Sequence, residues 1–117
     1  MPKDDLVRLW HMLDAAREAV SFSAGKSRSD LDTERMLVLS LVKCLEIIGE
    51  AASRVSAAYQ DRHPEIPWLD IIGMRHRLIH AYYDVNLDIV WRTVVDDLPP
   101  LIASLQELVR PGSGEDG

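Results

Sequence analysis

Apolar residues recur at three- and four-residue steps from one end of the chain to the other, and this period of about 3.6 residues predicts helices throughout. Leu6, Leu9, Trp10, Leu13, Ala16 and Val20 define a first amphipathic helix from about Asp4 to Phe22. The run Ser23 to Ser29 breaks it with turn-prone residues, and Asp30 or Asp32 is placed to cap the second helix by accepting orphan amide protons. Leu37, Leu41, Cys44, Leu45, Ile48, Ala52 and Val55 then carry the pattern to about Tyr59. That predicts a second helix of about 28 residues, about 42 Å long at 1.5 Å per residue. Between Met36 and Ala52 it is apolar on more than one stripe, which calls for sister helices on one side and a partner chain on another.

His63-Pro64-Glu65-Ile66-Pro67-Trp68 reads as a loop, with Pro67 suited to the first position of a third helix from about Trp68 to Tyr83. Gly73 inside that helix costs about 1 kcal/mol relative to alanine, so it marks either a kink or, slightly favoured, the close approach of another backbone. Asn86 is placed to cap a fourth helix through Ile89, Val90, Trp91 and Val95, and Pro99-Pro100 forces a kink or restart before Leu101, Ile102, Leu105 and Leu108. No strand alternation, internal repeat or glycine-rich phosphate loop is visible. The expected fold is all-α, an up-and-down bundle of four to five helices, with residues 1–110 as one domain and 111–117 as a disordered tail.

The 117 residues include 47% hydrophobic and 27% charged residues, a balance that supports one packed core. No apolar run reaches the ~18 to 20 residues of a membrane span and the N-terminus does not read as a signal peptide, so a cytoplasmic location without membrane contact is expected. Cys44 has no partner cysteine and sits in an apolar stretch, where a buried, inert thiol is expected. Trp10, Trp68 and Trp91 are read as core or interface fillers, and the acidic residues of helices one and four as solvated faces. A net charge of −6 excludes a protein that grips nucleic acid, DNA included, over a broad surface. The exception is local: from Ile71 to Tyr83 there are two arginines and two histidines and no acid, while Asp84, Asp88, Asp96 and Asp97 come directly after.

That cationic segment carries the candidate chemistry. Histidine exchanges protons near neutral pH and arginine offers a fixed fork to phosphate oxygens, so Arg75 and His80 suit phosphoryl transfer. Metal-free RNA cleavage needs a base for the 2′-hydroxyl, an acid for the leaving 5′-oxygen and a cation for the charge on phosphorus. On a continuous helix His80 lies about 140° from Arg75, Tyr82 about 20° from Arg75, and His76 one turn from His80. A cleft at a two-fold axis would then gather both copies of Arg75 and His80. A structural histidine and a surface arginine are the plain alternative. His76 and His80 could also hold a metal, with His63 or Asp84 as a third ligand, but this ranks below RNA.

The motif Arg75-x4-His80-x-Tyr82 stands among the segments Leu45-Glu46-Ile47-Ile48-Gly49-Glu50-Ala51-Ala52, His63 to Trp68, Ile71 to Met74 and Asp84 to Trp91. Together they resemble the HepT toxins of the HEPN superfamily, over about Leu6 to Leu108. The resemblance implies a homodimeric, metal-independent endoribonuclease without cofactor, acting on transfer or messenger RNA, with Arg75 and His80 as its catalytic pair. It also implies a partner, an MntA-like nucleotidyltransferase antitoxin that transfers AMP to the motif tyrosine, here Tyr82 by register, with Tyr83 as the neighbouring alternative. The family often has asparagine where His76 stands, so His76 either keeps that position's hydrogen bonding or adds a second acid or base. The rival readings are a non-catalytic interaction partner of a nucleotidyltransferase and a nucleotide- or metal-binding accessory protein. Assembly beyond a dimer is left open.

Overall fold

Helix α1 (Lys3–Ser23) begins with Asp4 and Asp5 in its first turn, where negative charge complements the exposed amide dipoles, and stops just before Gly25, whose φ of 76° is left-handed. The computed structural model describes residues 2–81 and 84–111, with the backbone alone described for 79–81. A 3-10 turn (Arg28–Asp32) leads into α2 (Arg35–Ser53), which folds back along α1. The expected aspartate cap of helix two is not formed. Asp30 instead accepts from the Ser27 backbone N–H at 2.7 Å and closes the 3-10 turn, Asp32 pairs with Arg28 at 3.1 Å, and α2 starts behind Glu34 without a side-chain cap.

The long second helix divides in two. It ends at Ser53, and a separate α3 (Ala57–Arg62) succeeds it, because Ser56 is pulled toward the start of α1. Asp5 Oδ1 accepts from the Ser56 N–H at 2.8 Å and Oδ2 from its hydroxyl at 2.7 Å, while that hydroxyl accepts from the Tyr59 N–H at 3.3 Å and so caps α3. Gln60 Nε2 donates to the Ala52 and Val55 carbonyls, satisfying acceptors that the helix end leaves open. Asp5 is therefore no solvated acid: it is 3% exposed.

The third helix also divides, at Gly73. Helix α4 (Trp68–Ile72) closes on Gly73, whose N–H donates to the Leu69 carbonyl at 2.9 Å, and α5 (Met74–Leu78) restarts directly after it. Pro67 stands one position outside α4, as its N-cap, and the indole N–H of Trp68 donates to the His63 carbonyl at 2.9 Å, tying the proline loop down. Gly73 thus marks the break. The close backbone approach belongs to Gly49 of α2, where an added Cβ would lie 3.1 Å from the Ile71 carbonyl oxygen.

After Leu78 the chain leaves the helix, although continuous helix to Tyr83 and no strand was expected. Strand β1 (Ile79–Ala81) pairs antiparallel with β2 (Asp84–Val85), Ile79 opposite Val85 and Ala81 opposite Asp84, with a register shift between them. The Asn86 N–H donates to the Leu78 carbonyl at 2.7 Å, taking the last carbonyl of α5, which the helix itself leaves open, into this hairpin. The β-branched Ile79 and Val85 of one pair favour the extended state, and strands of three and two residues are too short to show alternation in the sequence.

Asn86 caps α6 (Leu87–Arg92) as expected, its Oδ1 accepting from the Ile89 N–H at 3.0 Å. A π-helical turn (Thr93–Asp97), in which the Leu98 N–H reaches back to the Thr93 carbonyl, then leads into α7 (Leu98–Val109). Pro99 and Pro100 occupy the first turn of α7. There their fixed φ suits a helix start, and their missing N–H groups fall where a first turn has no acceptor of its own to serve.

These elements bury one core. Leu9, Met12, Leu13 and Ala16 of α1, Leu41, Leu45 and Ile48 of α2, Val90 and Val94, and Leu98 and Leu105 of α7 are all essentially without exposure. α1 packs on both α2 and α7, with alanines 15, 16 and 19 narrowing its buried side, while α4 and α5 lie across α2. The molecule is all-α apart from the short pairing of β1 with β2. Of the disordered tail expected over 111–117, residues 112–117 lie outside the described residues.

Candidate functional site

Arg75 projects from the first turn of α5 with 66% of its side chain exposed, and its Nε lies 3.9 Å from Glu46 Oε2 on α2. At that distance the carboxylate orients the guanidinium without engaging it in a hydrogen bond. The arginine closes one side of an open cleft of about 430 Å³ whose other walls are Arg8 and His11 of α1, Lys43, Glu46 and Glu50 around Ile47 of α2, and Arg54 at the C-cap of α2. Arg54 is held by Glu50, Nε to Oε1 2.9 Å, one turn back on the same helix. Arg8, His11 and Lys43 make no side-chain hydrogen bond or ion pair among the described residues, so their donors are open to an incoming ligand.

Arg77, two residues on, faces elsewhere. Two steps of 100° carry it away from Arg75, and it reaches toward Asp70 at 3.8 Å in a second cavity of about 480 Å³ between α4–α5 and α7. That cavity has apolar walls, Ile66, Ile71, Met74, Leu98 and Leu101 among them, with Thr93 and Asp97 of the π-helical turn at its edge. The two arginines of the segment therefore serve different surfaces.

His80 lies in β1 and not on the helix that carries Arg75. The helical angles that set His80 and Arg75 on different faces and stacked His76 on His80 therefore do not apply, because the helix ends at Leu78. His76 is exposed on α5, its N–H donating to the Gly73 carbonyl at 3.1 Å, and it is not part of the cleft wall. Tyr82 and Tyr83 lie outside the described residues, so the chosen modification site does too.

The remaining candidates have settled surroundings. Among the described residues no three of His, Cys, Asp and Glu gather in a geometry suited to a metal. His63 is occupied by Glu65, Nδ1 to Oε2 3.2 Å, and its ring lies 4.3 Å from that of Tyr59. Cys44 is buried, and that burial, with Glu18 nearby, raises its thiol pKa, which keeps it protonated and unreactive. Trp68 is buried and Trp91 packs partly against the core, whereas Trp10 is 40% exposed on α1. No helix among the described residues is long and apolar enough to cross a membrane.

The cleft cations of α1 and α2 were not singled out from the sequence. A signal was there: Lys43, Glu46, Ile47, Glu50 and Arg54 recur at helical spacing on one side of α2, as do Arg8 and His11 on α1. What periodicity does not say is that α5 brings Arg75 against that side, since this depends on the break at Gly73.

Residues 12–108 match the family model described as "Ribonuclease HepT-like". The chain belongs to the HepT-like ribonuclease family. The match runs from the middle of α1 to the end of α7 and includes Lys43, Glu46, Arg54, Arg75 and His80, whereas Arg8 and His11 precede it. A protein of Caldanaerobacter subterraneus subsp. tengcongensis named "Putative RNase TTE0752" is 33% identical over 87% of this chain and 91% of its own length. A protein of Thermococcus cleftensis named "Probable ribonuclease HepT" is 37% identical over 68% of this chain and 72% of its own. No solved structure matches this HepT-like chain.

Proposed function

We propose that this HepT-like protein is a metal-independent endoribonuclease of a toxin–antitoxin pair, with Arg75 and His80 as its catalytic residues. The observation that carries the reading is Arg75 itself: a fixed cation, largely exposed, oriented by Glu46 and opening on a cleft of mainly cationic walls in a protein of net charge −6. An arginine needed only for structure would be tied to its carboxylate, and this one is free to donate both faces of its fork to a phosphate.

In the reaction the RNA 2′-hydroxyl attacks the adjacent phosphorus. A base takes the hydroxyl proton as the O2′–P bond forms, the P–O5′ bond breaks, and an acid returns a proton to the departing 5′-oxygen. A 2′,3′-cyclic phosphate and a 5′-hydroxyl result. Arg75 stabilises the charge that builds on the phosphoryl oxygens, and His80 moves a proton, its chemistry available near neutral pH without a metal. Two proton transfers call for two groups, which a second copy of the chain supplies. The exposed apolar side chains of α1 and α2, Val7, Trp10, Met36 and Leu39, support such a homodimer.

The restraint on this activity is an MntA-like nucleotidyltransferase that adenylylates Tyr82. The added group is bulky and anionic, two residues from His80 in the chain, and it competes with an RNA phosphate for Arg75. Arg75→Ala and His80→Ala are each expected to lose RNA cleavage by at least about a hundredfold while remaining folded, measured on labelled RNA in excess chelator. Cleavage retained by folded His80→Ala, or lost from the wild type on chelation, would overturn the mechanism.

A further inference from the structure

The cleft beside Arg75 extends well past the motif arginine. Along α2 and its C-cap the wall runs from Lys43 to Arg54, about 16 Å at 1.5 Å per residue, against an axial rise of about 3.4 Å per charge for one strand of a duplex and a wider spacing along an extended single strand. It is thus long enough for more than one phosphate. Four fixed cations, Arg8, Lys43, Arg54 and Arg75, face two carboxylates, Glu46 and Glu50, a surplus of two positive charges on a molecule whose total is −6. Glu50 holds Arg54 through a hydrogen bond, whereas Glu46 stands 3.9 Å from Arg75 without one, so of the four cations only Arg54 is tied to its carboxylate. Arg8 and Lys43 are left to meet a ligand from opposite walls, with His11 one helical turn from Arg8.

We propose that this cleft is the groove that holds the RNA backbone beside the scissile phosphate, with Arg8 and Lys43 as its phosphate anchors and His11 as an additional donor. The inference rests on the ribonuclease reading and adds to it the residues that hold the strand. Outside the cleft the acidic surface repels the backbone, so the strand is confined to this track. Ile47, 37% exposed on the cleft floor, offers an apolar surface for a base between the phosphate contacts. Arg8 and His11 lie ahead of the family match, so this wall of the groove rests on the geometry of this chain.

The test uses the full chain and a single-stranded oligoribonucleotide bearing 2′-O-methyl groups throughout, which cannot be cleaved because it lacks the attacking hydroxyl. Its Kd is measured by fluorescence anisotropy from roughly 50 to 200 mM salt. Arg8→Gln and Lys43→Gln are each expected to weaken binding several-fold and to lower the slope of log Kd against log salt by about 0.7, the value for one phosphate contact with a single strand. Lys3→Gln, on the exposed start of α1 and not among the cleft's lining residues, should leave the slope as it is. On cleavable RNA the loss appears in KM more than in kcat. Unchanged slopes in both cleft variants, or no binding of the oligonucleotide by the wild type, would overturn the groove. If the wild type cleaves nothing but the slopes fall as stated, the groove stands and the catalytic reading fails. Lys43 is exposed and Arg8 is half-buried without a side-chain hydrogen bond among the described residues, so thermal unfolding should match the wild type and exclude misfolding as the cause.

Discussion

At the scale of single residues, the chain puts ordinary side chain types to unexpected use. Asp5 looks like a first-turn acid that favours a helix N-terminus, yet it is buried and accepts two hydrogen bonds from Ser56, fifty-one positions on. Asp5→Ala leaves the Ser56 N–H and hydroxyl without their partner and is expected to cost about 1 to 3 kcal/mol, read from urea unfolding. Tyr59 is the opposite case: its hydroxyl is buried with no hydrogen-bond partner among the described residues, and burial, reinforced by Glu65 and Asp5, raises its pKa. The phenol then ionises near pH 10 in the unfolded chain and only higher in the folded one, so this residue's contribution is intact below pH 10 and declines as pH rises beyond it. Tyr59→Phe should flatten that alkaline decline and cost little at neutral pH, since it removes an unpaired polar atom; a large loss at about pH 7 would contradict the assignment. The sequence carried no mark of either role, because both depend on which residues meet across the fold.

At the scale of elements, what was legible was periodicity and what was hidden was its interruption. α1, α2 up to Ser53, the Asn86 cap and the prolines of α7 come from local pattern, since each is decided by residues within one or two turns. The breaks at Ser56, Gly73 and Leu78 are another matter, the first decided at a distance by Asp5 and the last by the β1–β2 pairing. Apolar spacing alone continues through all three. The same limit applied to the site: Arg75 and His80 were found as chemistry-bearing residues, but their relation was drawn on a helix that ends between them. Gly49 shows how closely α2 and α4 are set. Gly49→Ala would place a methyl 3.1 Å from the Ile71 carbonyl oxygen, and is expected to cost about 1 to 3 kcal/mol with Arg75 displaced from Glu46 as α4–α5 shifts. Unaltered stability in that variant would mean that α4 gives way freely.

At the scale of the molecule, α1 and α7 with the inner side of α2 form the packed half, and Leu45→Ala within it is expected to cost about 2 to 5 kcal/mol in thermal or urea unfolding. The outer side of α1 and α2 carries the cleft, so stability and ligand contact are drawn from opposite sides of the same two helices. Between Arg75 and His80 the division is less clean, and Asn86 shows it. Its N–H holds the Leu78 carbonyl at the point where helix gives way to strand, and its side chain starts α6 at the Ile89 N–H. A single residue thus serves as a rivet through two parts: one end sets where the next helix begins, the other sets the offset between the arginine and the histidine. If Arg75 and His80 act together as proposed, damage to that rivet registers first as a loss of RNA cleavage, in a protein whose remaining helices still melt together at nearly the usual temperature.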